Sequence, residues 1–183
     1  MDMSYKRRLF VPLDLKNTRF ERQGLFPERY SARQQKTANR LFYINITSIA
    51  LDRISADVRR PYERIGLLIG SFLDDGLWVN DIVVGENSDS ETSCVLSPEK
   101  LARVADDIVR GKLDGRIVGW YHSHPGYGIF MSETDLSTHG KLLQFSPFVI
   151  ALVVDPEINE FGVWALESEV GVIQVSNDHI RVV

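Results

Sequence analysis

The amino-acid sequence predicts an α/β fold in which a mixed, mainly antiparallel sheet is flanked by helices. Residues 148–154 form a continuous apolar run, which is typical of a strand covered on both faces. Elsewhere, segments with apolar residues at helical spacing alternate with short runs of branched and aromatic residues. The turn Asp74-Asp75-Gly76 joins two of these runs as a predicted hairpin.

The predicted elements begin at residues 41–46, which we interpret as a strand because they are apolar and aromatic. Thr47 is a candidate N-cap for a helix that runs to about Arg60, and Pro61 ends that helix. The face of this helix that we expect to be buried consists of Leu51, Ile54 and Val58. Residues 63–72 and 77–84 are the two predicted hairpin strands.

A polar loop is predicted for residues 85–96, which are rich in Ser, Asp, Glu and Asn. A helix then opens at Ser97-Pro98, with Pro at its first position, and ends at Gly111 or Gly115. Its predicted buried stripe is Leu101, Val104, Ala105 and Ile108. The later strands are expected at residues 116–121, 148–154, 161–166 and, less regularly, 170–175.

Composition is that of an ordinary globular domain, with 44% hydrophobic and 25% charged residues in a chain of 183. No run approaches the roughly 18 apolar residues of a membrane span, and no signal-peptide pattern precedes the domain. The single cysteine, Cys94, excludes an internal disulfide and a cysteine-rich zinc site, and in a polar loop it is typical of an incidental thiol rather than a nucleophile. We therefore expect a cytoplasmic protein that does not contact membranes.

Charge divides the chain into a basic N-terminal extension, residues 1–40, and a domain, residues 41–183. The extension carries ten Lys or Arg and four Asp or Glu, which gives it a net charge of +6. Because the whole chain has a net charge of −4, the domain has a net charge of −10. Large apolar residues such as Phe10, Phe20 and Phe26 favour burial over a purely solvated basic tail. We expect the extension to dock on the domain or on a partner protein, and nucleic-acid binding is the less favoured alternative.

The candidate functional residues lie between residues 119 and 135. His122 and His124 follow a predicted strand and are separated by one residue, Ser123. Because side chains alternate along a strand, the two histidines point to the same face and Ser123 points to the opposite one. After a Gly-rich turn, Ser132 is a candidate helix N-cap, which places Asp135 one turn into that helix. Two imidazoles and one carboxylate can thus converge as the three protein ligands of a catalytic zinc.

Each of these residues also has an ordinary structural interpretation. A His-X-His pair on a strand can be simply polar residues on a solvated face. Asp135 and Ser132 can be simply the two members of a capping box. The ordered combination of His-X-His-Pro, a Gly-rich turn and Ser-X-X-Asp is what favours the metal site.

This combination resembles the signature of the JAMM (MPN+) metalloprotease family. His122-Ser123-His124-Pro125 and, after six residues, Ser132-Glu133-Thr134-Asp135 correspond to its second half. Residues 61–70 resemble the family's first core strand and place Glu63 at its catalytic glutamate position; a surface ion pair with Arg60 or Arg64 is the alternative for Glu63. The similarity covers residues 41–166 and implies a cytidine-deaminase-like architecture.

The resemblance implies a zinc isopeptidase that cleaves after the C-terminal glycine of ubiquitin or a ubiquitin-like protein and frees a lysine amine. His122, His124 and Asp135 would hold one zinc, Glu63 would be the general acid and base, and Ser132 would stabilise the oxyanion. Residues 85–96 would fold over the extended C-terminal tail of the ubiquitin-like protein. The alternative is that they are an ordinary loop between two elements.

Two other classes stay open: a hydrolase of the same fold acting on other peptides or small molecules, and a non-catalytic scaffold. The intact set of Glu63, His122, His124 and Asp135 argues against the scaffold. The family's proteasomal members continue beyond the catalytic domain, whereas this sequence stops at Val183. We therefore expect a compact archaeal or bacterial enzyme rather than a proteasome-like subunit. If the enzyme docks to a complex, we expect residues 1–40 to provide the contact.

Overall fold

A computed structural model of the protein describes residues 43–73, 76–85 and 96–183. The basic extension, Cys94 and most of the predicted loop 85–96 lie outside the described residues. The strands are β1 (Tyr43–Ile46), β2 (Ile65–Leu73), β3 (Gly76–Val84), β4 (Arg116–Ser123), β5 (Ile150–Asp155), β6 (Glu160–Glu167), β7 (Gly171–Gln174) and β8 (Ile180–Val182). The helices are α1 (Ser48–Val58), α2 (Pro98–Val109) and α3 (Glu133–Leu143), with a 3₁₀ turn at Asn177–His179.

The strands form one eight-stranded sheet in the order β7-β6-β5-β4-β2-β3-β1-β8. Antiparallel pairs join β2 to β3 and β4, and β6 to β5 and β7. Parallel pairs join β1 to β3 and β8, and β4 to β5. The prediction of a mixed, mainly antiparallel sheet flanked by helices is confirmed, and β4 lies inside it between β2 and β5.

Each face of the sheet has its own apolar core. On one face α1 buries Ala50, Ile54 and Val58 against a cluster that includes Tyr121 of β4. On the other face, buried Val104 of α2 and Leu142 of α3 belong to a cluster that includes Trp120. Because side chains alternate along β4, its neighbouring residues serve opposite layers.

Capping explains where the helices begin. The Thr47 hydroxyl accepts the N–H of Ala50, and the Ser97 hydroxyl accepts that of Lys100, as the sequence predicts. The first helix ends at Val58 rather than near Arg60. No helix in the described parts of the chain is long and apolar enough to cross a membrane.

The structure differs from the sequence-based prediction at three further points. Ala105 is exposed, because the helical stripe that α2 buries is narrower than its apolar pattern; Leu101 and Ile108 are only partly buried beside Val104. The strand β5 begins at Ile150 and ends at Asp155, and the buried run around it begins at Val149, because Phe148 is exposed. The sequence did not predict β8, a three-residue edge strand whose Ile180 pairs with Ile44.

Candidate metal site

The two histidines converge at the C-terminal end of β4, as their spacing predicts. His122 is in the strand and His124 follows it directly, and both side chains are buried. The ring of Trp120 stacks on His122 with centroids 4.7 Å apart. The ring of Phe130 lies 4.6 Å from that of His124. Aromatic contacts on both sides therefore restrict how far the imidazoles can turn.

Asp135 is both a capping residue and a member of the cluster. Its Oδ2 accepts the N–H of Ser132 at 2.7 Å, and its own N–H donates to the Ser132 hydroxyl at 3.2 Å, which completes a capping box. The same Oδ2 lies 3.2 Å from Nε2 of His122 and 3.4 Å from Nε2 of His124. The structural and the metal-ligand interpretations of Asp135 are thus compatible, since the cap aims the carboxylate at the histidines.

The spacing of the three atoms fits a tetrahedral metal ion. The two Nε2 atoms are 3.1 Å apart, so the triangle has edges of 3.1, 3.2 and 3.4 Å. Ligands at the bond lengths of a tetrahedral zinc site are separated by about 3.3–3.6 Å. His122, His124 and Asp135 could therefore hold a metal ion with little movement.

Hydrogen bonding within the cluster does not satisfy its buried nitrogens. Nδ1 of His122 and Nδ1 of His124 have no partner in the parts of the chain that the structure describes. If Nε2 carries the proton, each Nδ1 is a buried acceptor without a donor; if Nδ1 carries it, each Nε2 lone pair faces a carboxylate. In the second arrangement, which is the tautomer that a metal ligand needs, a cation could bind both Nε2 lone pairs beside the carboxylate, while each Nδ1–H would still need an acceptor.

The electrostatics of the cluster keep its groups in the protonation states of metal ligands. Burial lowers the pKa of His122, although hydrogen bonding to Asp135 opposes this shift. Burial would raise the pKa of Asp135, but hydrogen bonds from His122 and His124 outweigh it and hold that pKa far below its usual range. The carboxylate is ionised and His122 favours its neutral form, and both states are those required for coordination.

Glu63 lies beside this cluster, two residues before β2, with an exposed side chain. Its negative charge raises the pKa of His122, which places the carboxylate within electrostatic reach of the histidines. The buried Arg64 guanidinium pairs with Asp57 at 2.7 Å, and the alternative of a surface ion pair for Glu63 stays open beside the catalytic one. Glu63 therefore stays a candidate base.

Sequence reasoning missed the group that shapes the loop between the histidines and Ser132. The carboxylate of buried Asp155 accepts the N–H groups of Gly126 at 3.0 Å and Gly128 at 2.8 Å. Burial would raise the pKa of Asp155, but these backbone hydrogen bonds lower it. In the sequence Asp155 directly follows the apolar run 148–154, and in the structure it is the last residue of β5, the strand that pairs in parallel with β4.

His139 lacks a partner pattern in the sequence, which predicts either a structural or an exposed residue. It is fully buried on α3, one turn after Asp135, and its Nδ1 accepts the indole N–H of Trp120 at 3.2 Å. Burial lowers the pKa of His139 to about 4. It is therefore a neutral, structural histidine that holds the ring stacked on His122. His179 also lacks such a pattern, which predicts the same two roles, and it lies in the 3₁₀ turn against Tyr43.

Taken together, fold and cluster define an α/β domain with a buried His-His-Asp site that could bind a metal ion. Residues 40–147 match the family described as JAB1/Mov34/MPN/PAD-1 ubiquitin protease. Because this match covers more than half of the chain, the protein belongs to that family, which confirms the resemblance stated from its motifs.

Curated relatives carry different functional names. The chain is 34% identical over 121 residues to the NAD(+) hydrolase TcpA of a Theionarchaea archaeon, covering 65% of this chain and 36% of that protein. It is 34% identical over 124 residues to the ubiquitin carboxyl-terminal hydrolase RPN11 of Saccharomyces cerevisiae, covering 62% and 38%. The chain thus corresponds to little more than a third of the length of these relatives.

A solved structure supports the fold independently. A protein of Desulfitobacterium hafniense, determined in solution, superposes with a TM-score of 0.59 over 76% of this chain and 92% of its own. The two sequences are 22% identical, so the likeness concerns the fold alone.

Proposed function

We propose that the protein is a zinc-dependent isopeptidase that cleaves the bond between the C-terminal glycine of ubiquitin, or of a ubiquitin-like protein, and an amine. The observation that carries the proposal is the buried triangle of His122, His124 and Asp135 with Glu63 beside it. Similarity to ubiquitin hydrolases over this same segment supports the choice of substrate.

In this proposal His122, His124 and Asp135 hold the ion through Nε2, Nε2 and Oδ2. A zinc ion bound there supplies a Lewis acid and lowers the pKa of water to about 7. The three residues provide one negative charge, so a divalent ion held there would leave the site with a net positive charge. The aromatic rings of Trp120 and Phe130 exclude water from two sides of the histidines.

Glu63 is the proposed general acid and base. It removes a proton from the attacking water and returns it to the leaving amine, so that water and an amide become a carboxylate and an amine. Its exposed position suits this role, because the carboxylate must reach both the water and the substrate nitrogen.

Ser132 is the proposed oxyanion donor. Its Oγ accepts the Asp135 N–H, which leaves the hydroxyl proton available for the carbonyl oxygen of the substrate. One such hydrogen bond contributes a few kcal/mol to the transition state if it forms only there. The capping box therefore couples the donor to a metal ligand on one rigid helix turn.

A second candidate is a hydrolase of the same fold that acts on other peptides or on small molecules. The similarity to an archaeal relative named as an NAD(+) hydrolase supports this second candidate, although the shared segment is 36% of that protein. Both candidates use the same metal site, so the substrate distinguishes them.

The test compares substrates on one zinc-loaded preparation. Ubiquitin carrying a fluorogenic C-terminal amide and an isopeptide-linked ubiquitin conjugate are offered beside an unrelated peptide mixture and NAD⁺. We expect release from the ubiquitin substrates that stops with a chelator and returns with zinc. Hydrolysis of NAD⁺ or of unrelated peptides alone would establish the second candidate, and cleavage unaffected by metal removal would overturn both.

A further inference from the structure

Glu63 sits outside the sheet ladder, yet a general base must be held closely relative to the metal ligands. β2 begins only at Ile65, so the position of Glu63 depends on how the intervening residue, Arg64, is fixed. Arg64 is buried although it is charged, and Glu63 is exposed. The contacts of Arg64 therefore decide where the Glu63 carboxylate can lie.

Ser123, the residue between the two histidines, holds the backbone of Arg64 from both sides. The Ser123 N–H donates to the Arg64 carbonyl at 2.9 Å, and the Ser123 hydroxyl accepts the Arg64 N–H at 2.9 Å. In a regular antiparallel ladder a backbone carbonyl accepts the second of these bonds. Here a side chain does so, at the point where β4 ends and the chain continues to His124.

The side chain of Arg64 is anchored on the opposite layer from the metal ligands. Its guanidinium donates to one Asp57 oxygen at 3.1 Å and 2.7 Å, and the Tyr121 hydroxyl donates to the other at 2.8 Å. Tyr121 reaches this position across Gly66, where a Cβ would lie 2.4 Å from the ring. Arg64 is thus fixed by its backbone and by its side chain.

We propose that Ser123 is a positioning residue that sets the distance between Glu63 and the ligand triangle. The fully buried hydroxyl ties the residue after Glu63 to the residue between the two histidine ligands, so base and ligands share one rigid connection. Since adjacent residues of an extended segment face opposite sides, anchoring Arg64 towards α1 turns Glu63 towards His122. The inference rests on the proposed role of Glu63.

The kinetic test is Ser123→Ala, which removes the acceptor and leaves the backbone bond. We expect kcat for the ubiquitin amide to fall roughly 10- to 100-fold, because small misplacements of a catalytic group have effects of that size. KM and zinc content should stay unchanged. Thr47→Ala is the matched control, since it also removes a hydroxyl that accepts a backbone N–H, on α1 rather than beside the ligands; its kcat should match the wild type.

A double-mutant cycle separates positioning from a general loss of stability. If Ser123 acts through Glu63, Ser123→Ala should cost less than about twofold in a Glu63→Gln background, since the base is already absent. A full additional loss in that background, a drop in zinc content, or an unchanged kcat in the single variant would each overturn the proposal.

An activity-independent measurement keeps this inference separate from the proposed function. Amide exchange of Arg64, followed by NMR, should accelerate at least tenfold in Ser123→Ala and not in Thr47→Ala, with a matching change in the Glu63 amide shift. Unchanged exchange and shift would overturn the positioning role whatever the substrate is. Altered exchange in a protein that does not cleave ubiquitin would support the positioning role and count against the proposed isopeptidase activity alone.

Discussion

Two buried polar clusters lie on opposite faces of β4, and they differ in how many of their polar atoms have hydrogen-bond partners. Around Asp57, both carboxylate oxygens accept donors, from Arg64 on one side and from Tyr121 on the other. Around Asp135, one carboxylate oxygen faces two imidazoles whose Nδ1 atoms have no partner among the described residues. Both clusters are buried, but only the first is closed by its own hydrogen bonds.

The difference lies in what each cluster could do. A buried polar network is stable when its members are paired, so the Asp57 cluster fixes the fold at the end of α1. In the Asp135 cluster two Nε2 atoms and one carboxylate oxygen lie within 3.4 Å of one another, and these three atoms could hold a metal ion. Changing each aspartate should separate metal binding from stability.

The largest expected effect is on the metal. In Asp135→Ala we expect zinc content to fall from near one per chain to near zero, a loss larger than the roughly 10- to 100-fold typical of removing a supporting hydrogen bond. Asp135→Asn keeps a capping side chain but offers a poorer ligand, so its zinc should also be weakened. Metal analysis of the purified proteins measures this, and near-stoichiometric zinc in Asp135→Ala would refute the ligand assignment.

Glu63→Gln should leave the metal and the fold intact and reduce turnover by on the order of a hundredfold or more. Glutamine keeps the shape of the side chain but cannot accept the proton. Zinc content, thermal unfolding and kcat are measured on the same preparation. Turnover near that of the wild type would return Glu63 to the status of an ordinary surface acid.

Asp57→Ala should have the opposite signature: retained zinc and a loss of about 3–5 kcal/mol in the free energy of unfolding. The cause is the buried Arg64 guanidinium, which would lose its ion-pair partner. Denaturant unfolding measures the loss. A stability equal to the wild type would show that Arg64 finds another acceptor, and the comparison between the two clusters would then fail.

Local patterns in the sequence were sufficient for most of the elements and for the grouping of His122, His124 and Asp135. The alternation of His122 and His124 and the Ser132 cap are properties of short segments, so they could be predicted without tertiary structure. The structure places their side chains together, while their roles as ligands and oxyanion donor stay predictions.

Residues whose roles depend on distant partners could not be predicted. Asp57 pairs with Arg64, seven residues away, but it meets Tyr121 only after the sheet has formed. The same holds for Asp155, which reaches a loop almost thirty residues earlier, and for β8, whose pairing with β1 joins the two ends of the described domain. Ala105 was misassigned because helical periodicity does not reveal how wide the covering layer is.

The smallest expected effect concerns His139, a buried group on the same face as the metal ligands but outside their triangle. Its pKa is lowered from 6.5 to about 4 by burial, so between these values the unfolded chain binds a proton that the folded protein does not. The resulting loss in the free energy of unfolding is small above pH 6.5 and grows as the pH falls towards 4. Between pH 7 and pH 5 the loss amounts to roughly 2 kcal/mol.

His139→Gln should remove this pH dependence, because the glutamine carbonyl can still accept the Trp120 indole N–H but does not titrate. Unfolding of wild type and variant is compared at pH 7 and pH 5 with a chelator present, so that proton-linked metal loss does not contribute. All other groups are the same in both proteins, and the difference between the two pH profiles isolates His139. Parallel pH profiles would mean that His139 is protonated within the fold, and the layer beneath Trp120 would then contain a second charged group beside the metal site.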